Sequence, residues 1–323
     1  MFSISIVMGK ICDAVFEGGG MRGIGHVGAI YEFEHHGYKF RNVAGSSAGA
    51  IVASLLAAGY TANELYSIIA TVDFNKFKHS QNWYVRFGRL GRLVSVKRNL
   101  GIYNADRFEQ WLAQLLAKKN VHTFADITNK LKLIATDITT SSILVLPDDL
   151  SKFGIDPNTF NIATAVRMSM SIPIFYEPYE LKDQNGNIHL IADGGILSNH
   201  PIWVLDDGLR IPTFPIFGFR FERRTTNTTS TERPTLLPYL KQVIQTVMDD
   251  EDVFLPIIRG DRERTTFIPT RVNGKNIRST DFDLNQNQIK GLFNNGRTSA
   301  KTFLNNWNFE NWKQANRMTR NYT

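Results

Sequence analysis

The sequence predicts an α/β fold: a mostly parallel central sheet flanked by helices in three layers, followed by a C-terminal helical extension. Three observations carry this expectation. Short apolar runs of strand length alternate with helical segments, the pattern of parallel strands joined by crossover helices. Glycine clusters stand where two of those strands pass into helices. The chain has 323 residues, 42% of them hydrophobic, which suits one large buried core and excludes a disordered chain.

The elements follow in order. Asp13-Ala14-Val15-Phe16-Glu17 reads as the first strand. After Gly18-Gly19-Gly20-Met21-Arg22-Gly23, a helix runs from about Ile24 to His36, with Gly37 as its stop. Residues 39–44 read as the second strand, and 48–58 as a helix ended by Gly59. From Asp106 to about Lys118 the chain is an amphipathic helix, with Phe108, Trp111, Leu112 and Leu115 on one face. Strands over 131–136 and 143–146 are joined by a polar turn, Ile162–Met170 is helical, and Thr213–Phe221 is a late strand. The polar, low-complexity stretch 222–232 predicts a flexible loop. Asn273-Gly274 predicts a hairpin turn. Asp283 is the expected N-cap of a helix from Leu284.

Three motifs carry chemistry. Gly45-Ser46-Ser47-Ala48-Gly49 is a GxSxG sequence at a strand-to-helix corner, the pattern of a nucleophile elbow. Gly45 and Gly49 are needed because a Cβ beside so tight a turn would clash with strand and helix. Ser47 is therefore the first candidate nucleophile, with a helix N-terminus behind it to favour negative charge. Upstream, consecutive glycines at 18–20 let backbone N–H groups point outward as an anion-binding concavity, which becomes an oxyanion hole if it faces Ser47. Arg22 adds positive charge at the start of the following helix. Downstream, the apolar strand Ile188–Ala192 ends in Asp193-Gly194-Gly195, placing a carboxylate at a strand end with open space beside it. Taken alone, that Asp-Gly pair reads as a turn.

Gly23-Ile24-Gly25-His26-Val27-Gly28 also matches GxGxxG. A dinucleotide site needs an acidic residue about 20 positions further on, and residues 43–48 hold none. Gly25 and Gly28 are instead expected to bring a helix close to the sheet.

Together the three motifs, in this order and spacing, resemble the patatin-like phospholipase family. Arg167-Met168-Ser169-Met170-Ser171-Ile172-Pro173 adds a weaker match to the segment upstream of the family's aspartate. The resemblance covers about residues 12–207, expected to be the catalytic domain, with 208–323 an extension packed on the same domain. Residues 279–284 and the helix after them look like the tail of many bacterial members. The resemblance implies a Ser47–Asp193 dyad. Ser47 attacks an ester carbonyl, Asp193 takes its proton and later activates water, and the N–H groups of Gly19, Gly20 and Met21, helped by Arg22, hold the oxyanion. Such a carboxylate needs a raised pKa, and an apolar strand such as Leu190-Ile191-Ala192 is a suitable place for one. A Ser-His-Asp triad is the rival arrangement. Of the seven histidines only His200 follows Asp193, too close in sequence for the separate loops a triad uses.

Composition bounds the remainder. One cysteine, Cys12, excludes an intrachain disulfide framework and fits a reducing compartment. No metal-ligand spacing stands out, and neither a cofactor nor a metal is expected; the acidic run 249–252 reads as a solvated surface. Residues 1–10 lack the basic start and long apolar run of a signal peptide. Net charge is +7. Lys76, Lys78, Arg86, Arg89, Arg92, Lys97 and Arg98 fall between Asp73 and Asp106 with no acid among them, interleaved with Trp83, Tyr84, Phe87, Leu90 and Leu93. This basic segment, 76–98, suits an anionic membrane surface or a solvated lid over the active site. Nucleic acid is not an expected partner. The expected protein is cytoplasmic, peripheral at the membrane, and hydrolyses fatty-acyl esters of phospholipids or lysophospholipids. The alternatives are a short-chain carboxylesterase and a non-catalytic basic membrane-binding protein on the same fold.

Overall fold

A computed structural model describes residues 10–80, 82–206, 212–222, 234–249, 259–279, 281 and 283–319. Residues 1–9, most of the low-complexity stretch 222–232 and most of the acidic run 249–252 lie outside the described residues.

The chain builds β1 (Lys10–Phe16), α1 (Ile24–His35), β2 (Tyr38–Ser46), α2 (Ala48–Ala57), α3 (Ala62–Thr71), α4 (Gly88–Asn99), β3 (Gly101–Tyr103), α5 (Asp106–Ala117), β4 (Leu131–Asp137) and β5 (Ser142–Leu146). Then follow α6 (Ile162–Ser169), β6 (Ile174–Tyr176), β7 (Tyr179–Lys182), β8 (Ile188–Asp193), β9 (Ile216–Phe221), α7 (Leu236–Asp249) and α8 (Arg259–Glu263). The last elements are β10 (Thr265–Ile268), the short β11 (Arg271–Val272) and β12 (Lys275–Asn276), α9 (Gln286–Asn306) and α10 (Phe309–Thr319). The predicted elements appear within a few residues of their expected ends. The elements α3, β7 and β10 were not expected, although α3 opens on a local capping box of Thr61 and Glu64, and α4 is the helix of the basic segment.

The main sheet runs β10-β9-β1-β2-β4-β8-β7, with β5 also paired to β4. The pairings among β10, β9, β1, β2 and β4 are parallel, and those of β5, β8 and β7 antiparallel. Register decides where the motifs meet. Ser46 pairs with Ile134 of β4, and Asp193 pairs with the next residue, Ala135. Ser47 and Asp193 are thereby brought level on either side of β4.

One sheet face packs beneath α1 and α9. Phe33 of α1 meets Phe217 and Phe219 of β9 edge-on at 5.0 Å, and Phe303 of α9 meets Phe217 at 5.6 Å. Burying each such ring contributes about 1.5–3 kcal/mol. On the opposite face Val15, Ala44 and Ile216 are covered by Ile202–Leu205.

Two expectations change. Gly25 does approach the sheet, since a Cβ there would stand 3.1 Å from Ile268 Cγ2. Gly28 instead faces helix α9, where a Cβ would collide with the backbone of Phe293. Reciprocally, a Cβ at Gly296 would come 2.9 Å from the backbone nitrogen of Ala29. The GxGxxG spacing thus serves a close helix crossing. Likewise Asp283 is not a cap, because its carboxylate accepts from Asn75 Nδ2 at 2.8 Å. Asn285 caps α9 in a capping box with Gln288.

Gly28→Ala is expected to destabilise the protein by about 1–3 kcal/mol, because a rigid backbone must give way. A denaturant midpoint equal to the wild type's would contradict the tight crossing.

Candidate active site

Ser47 caps α2 at φ 53°, ψ −123°, a conformation that costs a non-glycine residue about 1–3 kcal/mol. Both elbow glycines are sterically required. A Cβ at Gly45 would stand 2.7 Å from the Ala50 nitrogen, and one at Gly49 2.8 Å from the Glu17 carbonyl oxygen. The strain is held from below. Ser47 N–H donates to Ser169 Oγ at 3.0 Å, and Ser169 Oγ donates to the Ile134 carbonyl at 2.5 Å. Ser169 is a residue that sequence reasoning missed as a site component. Its signal lay in the 167–173 segment that carried part of the family resemblance.

The elbow turns the Ser47 hydroxyl onto Asp193: Oγ donates to Oδ2 at 2.6 Å. Asp193 is fully buried. Gly195 N–H donates to its Oδ1 at 2.8 Å, Thr136 Oγ1 donates to its carbonyl at 3.0 Å, and its own N–H donates to the Ser171 carbonyl at 2.9 Å. Burial pushes its pKa up to about 7, partly opposed by the hydrogen bonds from Ser47 and Gly195. At neutral pH this carboxylate can accept a proton and return it.

The histidines are occupied elsewhere. His26 Nε2 bonds the Glu17 carbonyl at 2.9 Å, its ring lies 4.3 Å from that of Phe221, and burial lowers its pKa to about 3. His200 is also buried and held neutral by desolvation. Among the described residues no histidine hydrogen-bonds Ser47 Oγ, and no group of three or more His, Cys, Asp and Glu could hold a metal ion.

The glycine loop lies beside Ser47: a Cβ at Gly18 would touch Ser47 Cβ at 3.0 Å. Gly20 has φ +53°, which favours glycine. Gly18 N–H donates to the Asn199 carbonyl at 3.0 Å. Among the described residues no acceptor takes the N–H groups of Gly19, Gly20 or Ala48, the last at the start of α2. Met21 differs from expectation. Its N–H donates to the Ser279 carbonyl at 3.0 Å and so does not point at a substrate. Arg22 braces the loop, its Nε donating to the Gly19 carbonyl at 3.1 Å and its guanidinium 5.1 Å from the Phe221 ring.

Above these groups lies a cavity of about 650 Å³. Ser47, Asn199 and the glycine loop line it, with apolar walls that include Leu90 and Leu93 of α4, Ile174 and Phe175 of β6, and Leu236 and Met248 of α7. Ile174 has φ +69°, a strained setting for a β-branched residue at the cavity wall. Arg89 and Arg92 of the basic segment also line the cavity, while Trp83, Phe87 and Leu90 are 70%, 67% and 76% exposed.

The fold has counterparts among known proteins. A family model described as patatin-like phospholipase matches residues 14–206, and the chain belongs to that family. By class it is a lipid acyl hydrolase. It is 35% identical over 298 residues to the uncharacterized protein YqhO of Bacillus subtilis, covering 92% of this chain and 99% of that one. It is 25% identical over 201 residues to a cGAMP-activated phospholipase of Escherichia coli, covering 58% of this chain and only 52% of that protein. The crystal structure of VipD from Legionella pneumophila shares the fold, with TM-score 0.54 and 17% identity, over 92% of this chain and 67% of that one.

Asp193 links chemistry to stability. Its raised pKa means that the folded state keeps a proton the unfolded chain releases near pH ~3.9, so the wild type loses stability as pH rises from about 4 to 7. Asp193→Asn removes that penalty. Its stability gain over the wild type should grow across this interval to the order of a few kcal/mol, then level off above pH 7. Denaturant midpoints at pH 5, 6, 7 and 8 measure the gain; a pH-independent difference would contradict the buried, raised carboxylate.

Proposed function

We propose that this protein cleaves fatty-acyl ester bonds of phospholipids or lysophospholipids through a Ser47–Asp193 dyad. The 2.6 Å hydrogen bond from Ser47 Oγ to the buried Asp193 Oδ2, on a strained elbow at the base of an apolar cavity, carries this reading. In the first half-reaction Asp193 takes the Ser47 proton as Oγ attacks the ester carbon. Charge developing on the carbonyl oxygen meets the N–H groups of Gly19 and Gly20 and the N-terminal end of α2. The proton passes to the leaving alcohol, and a fatty-acyl ester of Ser47 remains. Water then hydrolyses it, with Asp193 again the proton acceptor.

The apolar cavity favours a long acyl chain over a short one, which sets the fatty-acyl reading above a short-chain carboxylesterase. No helix among the described residues is long and apolar enough to cross a membrane. Helix α4 is suited to contact with a lipid surface. Its exposed Leu90 and Leu93 can enter the lipid boundary, while Arg89, Arg92 and Lys97 face anionic headgroups. We place the protein in the cytoplasm, peripheral at the membrane.

Fatty-acid release from phospholipid vesicles, with EDTA present, tests the reading. The wild type is expected to release fatty acid with a rate that rises with pH through about 7, and Ser47→Ala to release none above background. Equal release by both would remove Ser47 from the mechanism. Neutralising Arg89, Arg92 and Lys97 should weaken binding to anionic vesicles by roughly fivefold per charge, and less at high salt. Unchanged cosedimentation would dismiss α4 as the docking element.

A further inference from the structure

Beside the dyad lies one buried polar atom that the steps above leave unused. Asn199 is 3% exposed. Its Nδ2 donates to Glu17 Oε1 at 3.3 Å and to the Gly18 carbonyl at 3.4 Å, which fixes the orientation of the amide. Its Oδ1 is buried and accepts no hydrogen bond among the described residues. A buried acceptor without a donor costs about 1–3 kcal/mol, a cost that a donor arriving during turnover would relieve.

Its position says which donor. A Cβ at Gly18 would collide with Asn199 Oδ1 and lie 3.0 Å from Ser47 Cβ. A Cβ at Gly195 would lie 2.8 Å from the same Oδ1, 3.1 Å from Asp193 Oδ1 and 3.1 Å from Met248 Cε. Asn199 Oδ1 is thus packed between the two glycines, beside the nucleophile at Gly18 and the dyad carboxylate at Gly195, with Met248 Cε against the same point. Asn199 lines the cavity together with Ser47 and Gly18.

We propose that Asn199 Oδ1 positions the hydrolytic water. A water that attacks the acyl group must hand one proton to Asp193. Its second O–H also needs an acceptor, and the apolar walls offer none. With Asn199 Oδ1 accepting that O–H, a lone pair of the water oxygen turns toward the ester carbon. The water oxygen bonds to that carbon, and Asp193 takes one proton. The carbon–Oγ bond then breaks, Asp193 returns the proton to Ser47 Oγ, and the free fatty acid leaves. Acylation involves no water, so Asn199 acts in the second half-reaction alone. The inference rests on the reading of Ser47 as an acylated nucleophile.

Stopped-flow hydrolysis of a p-nitrophenyl fatty-acyl ester separates the two halves. Asn199→Ala is expected to keep the initial burst of p-nitrophenolate, lose roughly tenfold to a hundredfold in the steady state, and accumulate acyl-Ser47 visible by intact mass. Added hydroxylamine, which needs no such positioning, should restore its turnover. Asn199→Asp keeps an acceptor oxygen. It should deacylate faster than Asn199→Ala, with a pH profile moved upward by the second carboxylate. A burst slowed in the same proportion as the steady state would reduce Asn199 to a support of the glycine loop and overturn the proposal. So would an unchanged steady state in Asn199→Ala. A wild type inert toward the ester would defeat the hydrolase reading itself, and this inference with it.

Discussion

The approach of α2 to the ends of β1 and β2 is the constraint on which the rest depends. At Gly45 and Gly49 backbone lies where a side chain would stand. Only at that separation does the chain turn from β2 into α2 within one residue, and that residue, Ser47, takes up the strain at φ 53°. The strain persists because the surroundings over-determine it. Ser169 Oγ holds the Ser47 N–H and is anchored to Ile134, the residue that pairs with Ser46. The same strand, β4, carries Ala135 opposite Asp193. One strand therefore sets the height of both Ser47 and Asp193, and the 2.6 Å contact between them follows from register.

Burial of Asp193 opposes stability to chemistry. A solvated carboxylate has a pKa near ~3.9 and is a poor base toward a hydroxyl. Desolvation raises it to about 7, while one backbone N–H and the Ser47 hydroxyl keep it from rising further. A third donor would stabilise the fold and weaken the base. Gly194 and Gly195 keep the strand end narrow enough for this balance. A Cβ at Gly194 would lie 2.6 Å from Ser46 Oγ, and one at Gly195 would enter the space beside the carboxylate.

What was legible in the sequence was local. GxSxG, the glycine loop and Asp193-Gly194-Gly195 each impose a steric demand over a few residues, so residue types alone reveal them. Periodicity gave the opening strands and helices for the same reason. Ser169 was hidden because its partner is 122 residues away and a serine at a helix end has many uses. Met21 stood with its neighbours as an oxyanion donor until the fold brought the Ser279 carbonyl onto its N–H. Asp283 looked like a cap, yet Asn75, 208 residues away, claims its carboxylate. Gly28 carried a glycine signal whose partner, α9, lies near the other end of the chain.

These long-range partners show a division of labour along the chain. The two members of the proposed dyad, Ser47 and Asp193, both lie within the residues that the family model matches. Much of what shapes their surroundings comes from beyond residue 206. Ser279 fixes the glycine loop through Met21, and a Cβ at Gly20 would collide with its backbone. Phe221 sits under Arg22 and fills the space at Gly19, where a Cβ would come 2.8 Å from its Cδ2. Leu236 and Met248 of α7 wall the cavity. Changes in α7 or at Ser279 therefore reshape the apolar cavity or the glycine loop without touching Ser47 or Asp193. Variation in the later segments is the route by which the proposed dyad would meet different substrates.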